Sequence, residues 1–316
     1  MFKDSFKYYK SRNPKPSFEE VLDFTNSSSW TNKVKSVSIN SDNFTKTFDL
    51  IDPSAWEAFE ILDRPGFIYI KNPFTSIGQR YWIRQAIEEY TKKPNKLNID
   101  IHSLVPLEQN WWDYAKQDKS VLKKLRWSTL GYHHNWDTKI YSDQAKNTFP
   151  DNLSRLCYTF AQALGYDFKA EAAIVNFYHL DSTLAGHTDH SEEYLDAPLF
   201  SFSFGNSAVF LLGGLTIDEK PTAVVIHSGD VVIMSKESRL SYHAVPRIVK
   251  TEKQMWNDFN CESDVPLDSE LRMYTSQSNF NEFQDYLEGL RINLNVRQVL
   301  PHGQLNLIGT VPNKDI

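Results

Sequence analysis

Residues 291–297 read RINLNVR. Successive side chains of a strand point to opposite faces. Arg291, Asn293, Asn295 and Arg297 therefore share one face, and Ile292, Leu294 and Val296 share the other. One face needs a core and the other needs water or polar company. A sheet with one wet face meets both demands, and so does a strand lining a polar barrel interior. At roughly 3.3 Å per residue the two arginines stand about 20 Å apart. They cannot grip the same small anion, so Arg291 alone is suited to hold a distal carboxylate bidentately.

The neighbourhood of this strand favours β-structure. From residue 166 onward the segments AAIVNFYHL, PLFSFSFGN, AVFLLGGL, TAVVIHS, DVVIMS and HAVPRIV are short and rich in β-branched and aromatic residues. That texture predicts a sandwich or barrel. HSGD (227–230) reads as a tight hairpin between two of these strands. A polar stretch, 250–278, reads as a long surface insertion, and NFNEFQDYLEGL (279–290) as a late amphipathic helix. The first half is more helical. Ser17-x-x-Glu20 is a capping box before VLDF, and Ser76-x-x-Gln79 another, opening a helix that runs to Pro94. PGFIYIKNPF (65–74) predicts a strand. Residues 151–164 predict a helix stopped by Gly165. The N-terminal MFKDSFKYYK predicts a helix with a solvated basic face.

Bulk properties exclude several classes. The 316 residues carry a net charge of −6, which argues against a surface coated for non-specific nucleic-acid binding. Local basic runs remain, KQDKSVLKKLRW (116–127) and TKKPNK (91–96). No apolar run approaches the roughly 18 residues that would span a bilayer. Cys157 and Cys261 are too few and too far apart for a disulfide framework or a zinc–thiolate site. With no apolar secretory segment at the N-terminus, the expectation is a soluble intracellular protein.

Metal chemistry is signalled by AGHTDHSE (185–192). On a strand, His187 and Asp189 face one way and His190 the other. His243, in RLSYHAVPRIV, supplies a third ligand from 54 positions further on (243 − 189). Two histidines and a carboxylate form the facial triad that suits non-haem Fe(II). Zinc hydrolases use the same set, and spacing alone does not separate the two metals. Asn176 and Tyr178, in NFY, share a face and each offers a hydrogen bond to a carboxylate.

Taken in order, Asn176-x-Tyr178, His187-x-Asp189, His243 and Arg291-x-Asn293-x-x-x-Arg297 resemble the AlkB family of Fe(II)- and 2-oxoglutarate-dependent dioxygenases. LDSTLAGHTDHSE, SFSFGNSAVFLLGG, HSGDVVIMSKESRLSYHAVPR, VRQVL, LRWSTLGYHHNWD and VLDF are similar to the animal AlkB homologue one group. The resemblance covers about residues 20–300. It implies an α+β fold: a double-stranded β-helix, or jelly roll, with an N-terminal helical extension (1–65), supporting helices and a nucleotide-recognition lid (66–165), and an oxygenase core (166–305) holding the 250–278 insertion. It implies that His187, Asp189 and His243 ligate iron. Asn176, Tyr178, Arg291, Asn293 and Arg297 would bind 2-oxoglutarate. The chemistry implied is O2-dependent decarboxylation of 2-oxoglutarate to succinate, coupled to hydroxylation of a methyl carbon whose N-hydroxymethyl product sheds formaldehyde.

The substrates implied are N1-methyladenine in tRNA and N6-methyladenine in DNA, with oxidation of tRNA 5-methylcytosine, in the nucleus and/or mitochondrion. Rival expectations are a histone or other protein as substrate, a non-catalytic nucleic-acid binder, and a zinc hydrolase. Tyr132, His133 and Trp136, in GYHHNW, are placed to stack on a base, as is Trp112. His134 stands where the family has an aromatic tyrosine. Asn295 stands where the family often has threonine, a change expected to act on packing rather than ligation.

Overall fold

The computed structural model describes residues 1–42, 44–259 and 268–308. Among them thirteen strands, numbered in chain order, form two antiparallel sheets. The larger runs β1 (Val34–Ser36), β2 (Glu57–Ile61), β3 (Phe67–Lys71), β11 (Val231–Met234), β8 (Leu199–Gly205), β13 (Leu290–Arg297), β6 (Ala172–His179), β5 (Trp127–Gly131), β4 (Lys96–Leu97). The smaller runs β10 (Thr222–Ile226), β9 (Ser207–Leu212), β12 (His243–Val249), β7 (Leu184–His187). Together they make the jelly roll, with helices on the outer face of the larger sheet. Among the described residues no helix is long and apolar enough to cross a membrane.

Alternation along three adjacent strands builds both the core and the cavity. Phe200, Phe202 and Phe204 of β8, Val175 and Phe177 of β6, and Ile292, Leu294 and Val296 of β13 all enter one hydrophobic cluster. That cluster is completed by Trp82, Ile83 and Ile87, and by Leu153, Leu156 and Phe160 of the helix Asp151–Leu164. Each fully buried phenylalanine contributes about 1.5–3 kcal/mol. The intervening residues point between the sheets. Register sets Asn176 beside Asn293, Tyr178 beside Arg291, and Ser203 across from Asn293. The polar face of RINLNVR is thus the inner wall of the roll, rather than a face left to solvent.

The N-terminal helix α1 (Phe2–Lys10) forms as expected and lies on the smaller sheet, where Phe2 and Tyr9 pack with Val209 and Leu211. Gly186 and Gly213 make room for it, since a Cβ at either would meet the Phe2 ring at 2.7 or 2.9 Å. The helix at Asp151–Leu164 also forms, and Gly165 ends it with φ 72°.

Several local expectations fail for physical reasons. HSGD makes a turn, but β10 and β11 belong to different sheets, so it is a crossover and no hairpin. Ser17-x-x-Glu20 opens no helix, because Leu22 bridges Val224 through Leu22 N–Ala223 O at 2.9 Å and Val225 N–Leu22 O at 2.8 Å. Backbone pairing with the sheet outweighs a capping preference worth about 1 kcal/mol. The second box is displaced by one residue: Thr75 caps α2 (Ser76–Arg84) by accepting from Gly78 N, while Gln79 bonds Ser228 and Asn72. A π-turn at Gln85–Glu89 follows α2. The late helix is broken into short turns at Gln277–Phe280, Asn281–Phe283 and Gln284–Leu287. Within the 250–278 stretch Trp256 is buried, and Arg80 donates to its carbonyl at 2.8 Å, so this part packs inward. Residues 260–267 of that stretch, including Cys261, lie outside the described residues.

Candidate active site

His243 begins β12 and His187 ends β7, and the two are direct cross-strand partners. Their rings stand 4.3 Å apart. Asp189 follows two residues past the end of β7. Its Oδ1 lies 3.8 Å from His187 Nε2 and its Oδ2 3.7 Å from His243 Nε2. The three ligand atoms all fall within 4.8 Å of one another. Second contacts fix the tautomers. His187 Nδ1 donates to Ala185 O at 3.0 Å and His243 Nδ1 to Ser241 O at 3.1 Å, which leaves both Nε2 lone pairs aimed at the shared centre. Burial, then the neighbouring His187, push the His243 imidazole down to about 4, so it is a neutral donor at physiological pH. This donor set fits a divalent metal. His190 is exposed at the rim, its Nδ1 2.9 Å from Thr188 Oγ1.

Asp189 has further partners that sequence reasoning missed. Arg297 Nη2 sits 2.9 Å from its Oδ1, and Asn295 donates to Oδ2 at 3.4 Å. Burial alone would raise this carboxyl, but Arg297, His243 and His187 outweigh it and hold the group well below the usual carboxylate range. Arg297 is therefore at the metal end of the cavity, at the opposite end of β13 from Arg291. Asn295 touches a ligand carboxylate, where a packing role was expected. Behind them Glu192 has a fully buried side chain. It faces Arg239 at 3.0 Å and Arg297 Nη1 at 3.4 Å, and accepts from Tyr141 Oη at 3.3 Å. Arg239 also donates to the carbonyls of Asp189 at 2.7 Å and Ala197 at 2.9 Å. Two buried anions and two buried cations thus balance. AGHTDHSE ends on this Glu192, which with Asp189 is the motif's share of the network.

The other end of the cavity belongs to Arg291. Its Nη2 donates to Ser203 Oγ at 2.9 Å, while its Nε and Nη1 are buried with no partner among the described residues. The guanidinium lies 5.3 Å from the centre of the Tyr178 ring. Burial lowers it to about 10, so it stays charged at neutral pH, and burial raises the Tyr178 hydroxyl to about 12. An unpaired buried guanidinium edge costs several kcal/mol unless an anion completes it. Asn293 is held by Ser201 Oγ at 2.7 Å and Phe202 O at 3.2 Å, and Asn176 lines the wall beside it. Both ends open into one cavity of about 520 Å³.

The stacking candidates divide. Trp112 is a core residue, stacked on Phe283 at 5.0 Å and packed against Tyr286 at 5.9 Å. Tyr132 is buried and bonds Asp143 at 2.8 Å. His133 is buried between Thr129 and Asn147, where burial followed by the charge of Lys96 lowers it to about 4. None of these three lines the cavity. His134 and Trp136 do, 4.7 Å apart, with Trp136 46 % exposed. His134 Nε2 is 3.1 Å from Ser191 Oγ, and its Nδ1 is buried and unpaired. Burial, then Arg297, lower its imidazole and favour the neutral form.

A jelly roll with a His–Asp–His centre at one end of its cavity and a buried arginine at the other defines the class of 2-oxoglutarate-dependent iron oxygenases. Residues 66–297 match the 2OG-Fe(II) oxygenase superfamily. The chain is 39% identical over 329 residues to the nucleic acid dioxygenase ALKBH1 of Homo sapiens, covering 96% of this chain and 85% of that protein. It is 34% identical over 278 residues to the DNA N(6)-methyladenine demethylase ALKBH1A of Arabidopsis thaliana, covering 76% of this chain and 77% of that protein. It is 34% identical over 267 residues to the tRNA demethylase abh1 of Schizosaccharomyces pombe, covering 77% of this chain and 82% of that protein. The chain belongs to the AlkB family of the 2OG-Fe(II) oxygenase superfamily. It is a dioxygenase that uses Fe(II), 2-oxoglutarate and O2.

Proposed function

We propose that the protein oxidatively demethylates nucleobases, with N1-methyladenine in tRNA and N6-methyladenine in DNA as its leading substrates and oxidation of tRNA 5-methylcytosine as a related activity. The observation that carries this reading is the pairing, in one cavity, of the three-ligand centre with the two unpaired N–H groups of Arg291. A zinc hydrolase has no use for a buried anion fork opposite its metal. A dicarboxylate cosubstrate does. The named activities of the relatives, on DNA and on tRNA, supply the substrate class.

In this reading His187, Asp189 and His243 hold ferrous iron, which when bound supplies O2 activation coupled to decarboxylation of the cosubstrate. Arg291 takes the distal carboxylate of 2-oxoglutarate through its free edge, steadied by Tyr178. Asn176 and Asn293 present their amides along the wall. Arg297 and Asn295 hold Asp189 ionised and oriented. His134 and Trp136 stand at the mouth, where an extruded or unpaired base can enter with its methyl group leading. The segment 66–165 then serves as support and lid, 1–65 as extension, and 166–305 as oxygenase core. Resemblance to the AlkB homologue one group supports a nuclear and/or mitochondrial location.

The test is direct. The protein is incubated with ferrous iron, 2-oxoglutarate and methylated tRNA, methylated DNA or histone peptides, and succinate and the residual methyl marks are measured by mass spectrometry. Loss of methyl from nucleic acid is expected, with His187→Ala inactive. Demethylation confined to the peptides, or turnover surviving in the mutant, would overturn the assignment.

A further inference from the structure

A second groove, of about 870 Å³, lies outside the active-site cavity. Arg12, Lys15, Lys119, Lys123 and Arg247 line it, against two carboxylates, Asp181 and Asp285. Its floor is apolar, made by Leu122, Tyr286 and Leu180, the last 41% exposed. Arg12, Lys15, Lys119 and Lys123 are exposed and make no ion pair among the described residues.

This gathering of like charge is built, since three distant parts of the chain meet in it. Arg247 of β12 donates from Nε to Tyr9 O at 2.7 Å and from Nη2 to Ser11 O, which pins the segment after α1 in place. Burial, and then the charge of Arg12, lower the Arg247 guanidinium. In a chain of net charge −6, a concave cluster of unpaired cations is a binding feature rather than general surface solvation.

The groove adjoins, along the chain, the strands that carry the active site. His179, Leu180 and Asp181 connect β6, which carries Tyr178, to β7, which carries His187. Arg126 donates to Ser182 Oγ in that connection at 2.7 Å. The next residue, Trp127, packs on Trp136 at the cavity mouth at 5.1 Å. Arg126 thus follows Lys119 and Lys123 in the chain and precedes the Trp127–Trp136 pair, of which Trp136 is exposed. Phosphates track such cations and unstacked bases sit on such rings and floors.

We infer that this groove is a docking track for the phosphodiester backbone that flanks the target nucleotide, a role that rests on the nucleic-acid reading above. Recognition of this kind is sequence-independent and salt-dependent. It supplies affinity for a long substrate that a lone nucleotide in the cavity cannot gain.

The test uses the full chain and a Lys119→Glu/Lys123→Glu variant, whose thermal melt reports that the fold is kept. Substrates are a tRNA transcript carrying N1-methyladenine and a trinucleotide with the same base. The expected result is a KM increase on tRNA about tenfold larger than the increase on the trinucleotide. The slope of log affinity for tRNA against log salt should flatten by about 1.4, for two single-strand contacts at about 0.7 each. Equal effects on the two substrates, or an unchanged slope, overturn the docking track while leaving the demethylase reading intact. A wild type that neither binds nor turns over tRNA removes both. Displacement of tRNA from the groove by poly-glutamate at matched charge would assign it to an acidic protein partner instead.

Discussion

Arg297 Nη2 and Asp189 Oδ1 meet at 2.9 Å across the gap between the two sheets. The arginine is the last residue of β13 in the larger sheet, and the aspartate follows β7 of the smaller one. The ligand carboxylate is therefore charged and oriented before any metal arrives. Glu192, in turn, holds the arginine at 3.4 Å.

Arg297→Leu is expected to weaken metal affinity by about 10- to 100-fold, the usual effect of losing a partner of a ligand. It also leaves Asp189 and Glu192 as buried anions short of a cation, a loss of about 3–5 kcal/mol in stability. Titration with manganese or cobalt, followed by calorimetry, separates the two effects. Unchanged metal affinity would remove Arg297 from the positioning role.

Arg291→Gln is expected to raise the KM for 2-oxoglutarate by at least about 100-fold, since it deletes a charged bidentate partner worth several kcal/mol. Its metal affinity should stay close to the wild type's, because Arg291 contacts Ser203 and none of the three ligands. A parallel loss of metal affinity would contradict the division of the cavity into two ends.

The contact between Asp23 and His227, 3.0 Å, ties the N-terminal segment to the crossover after β10. Burial tends to raise Asp23, but its hydrogen bond with His227 wins and draws it down to about 2. Burial tends to lower His227, but the same bond wins and raises it. The aspartate's share of stability is present above its unfolded value, near 3.8, and is lost as pH falls toward about 2. The histidine's share is present below its unfolded value, near 6.5, and is lost as pH rises through its higher folded value. Asp23→Asn should therefore lower Tm more at pH 5.5 than at pH 9. Melting curves at the two pH values check this, and an equal drop at both would rule the pair out as the cause.

Much of this was legible in sequence because period-two alternation is local. RINLNVR and NFY show their faces without any knowledge of the fold, whereas Asp189 and His190 lie past the end of β7, where alternation no longer operates. What was illegible is what the sheets bring together. Glu192, Arg239 and Tyr141 are spread over 98 residues (239 − 141), and each alone reads as a surface polar group. Trp112 illustrates the converse: an aromatic near a basic run suggests stacking, yet its ring is spent on Phe283. The first capping box misled because Leu22 found a strand to pair with.

The three-ligand centre sits on a seam. Both histidines belong to the smaller sheet, whereas the cation that steadies Asp189 comes from the larger one. Whatever fills that centre also fastens the sandwich shut, and it stabilises the folded state by an amount that grows with the logarithm of its concentration over its Kd. Bound iron would thus count toward the stability of the fold as well as toward the reaction.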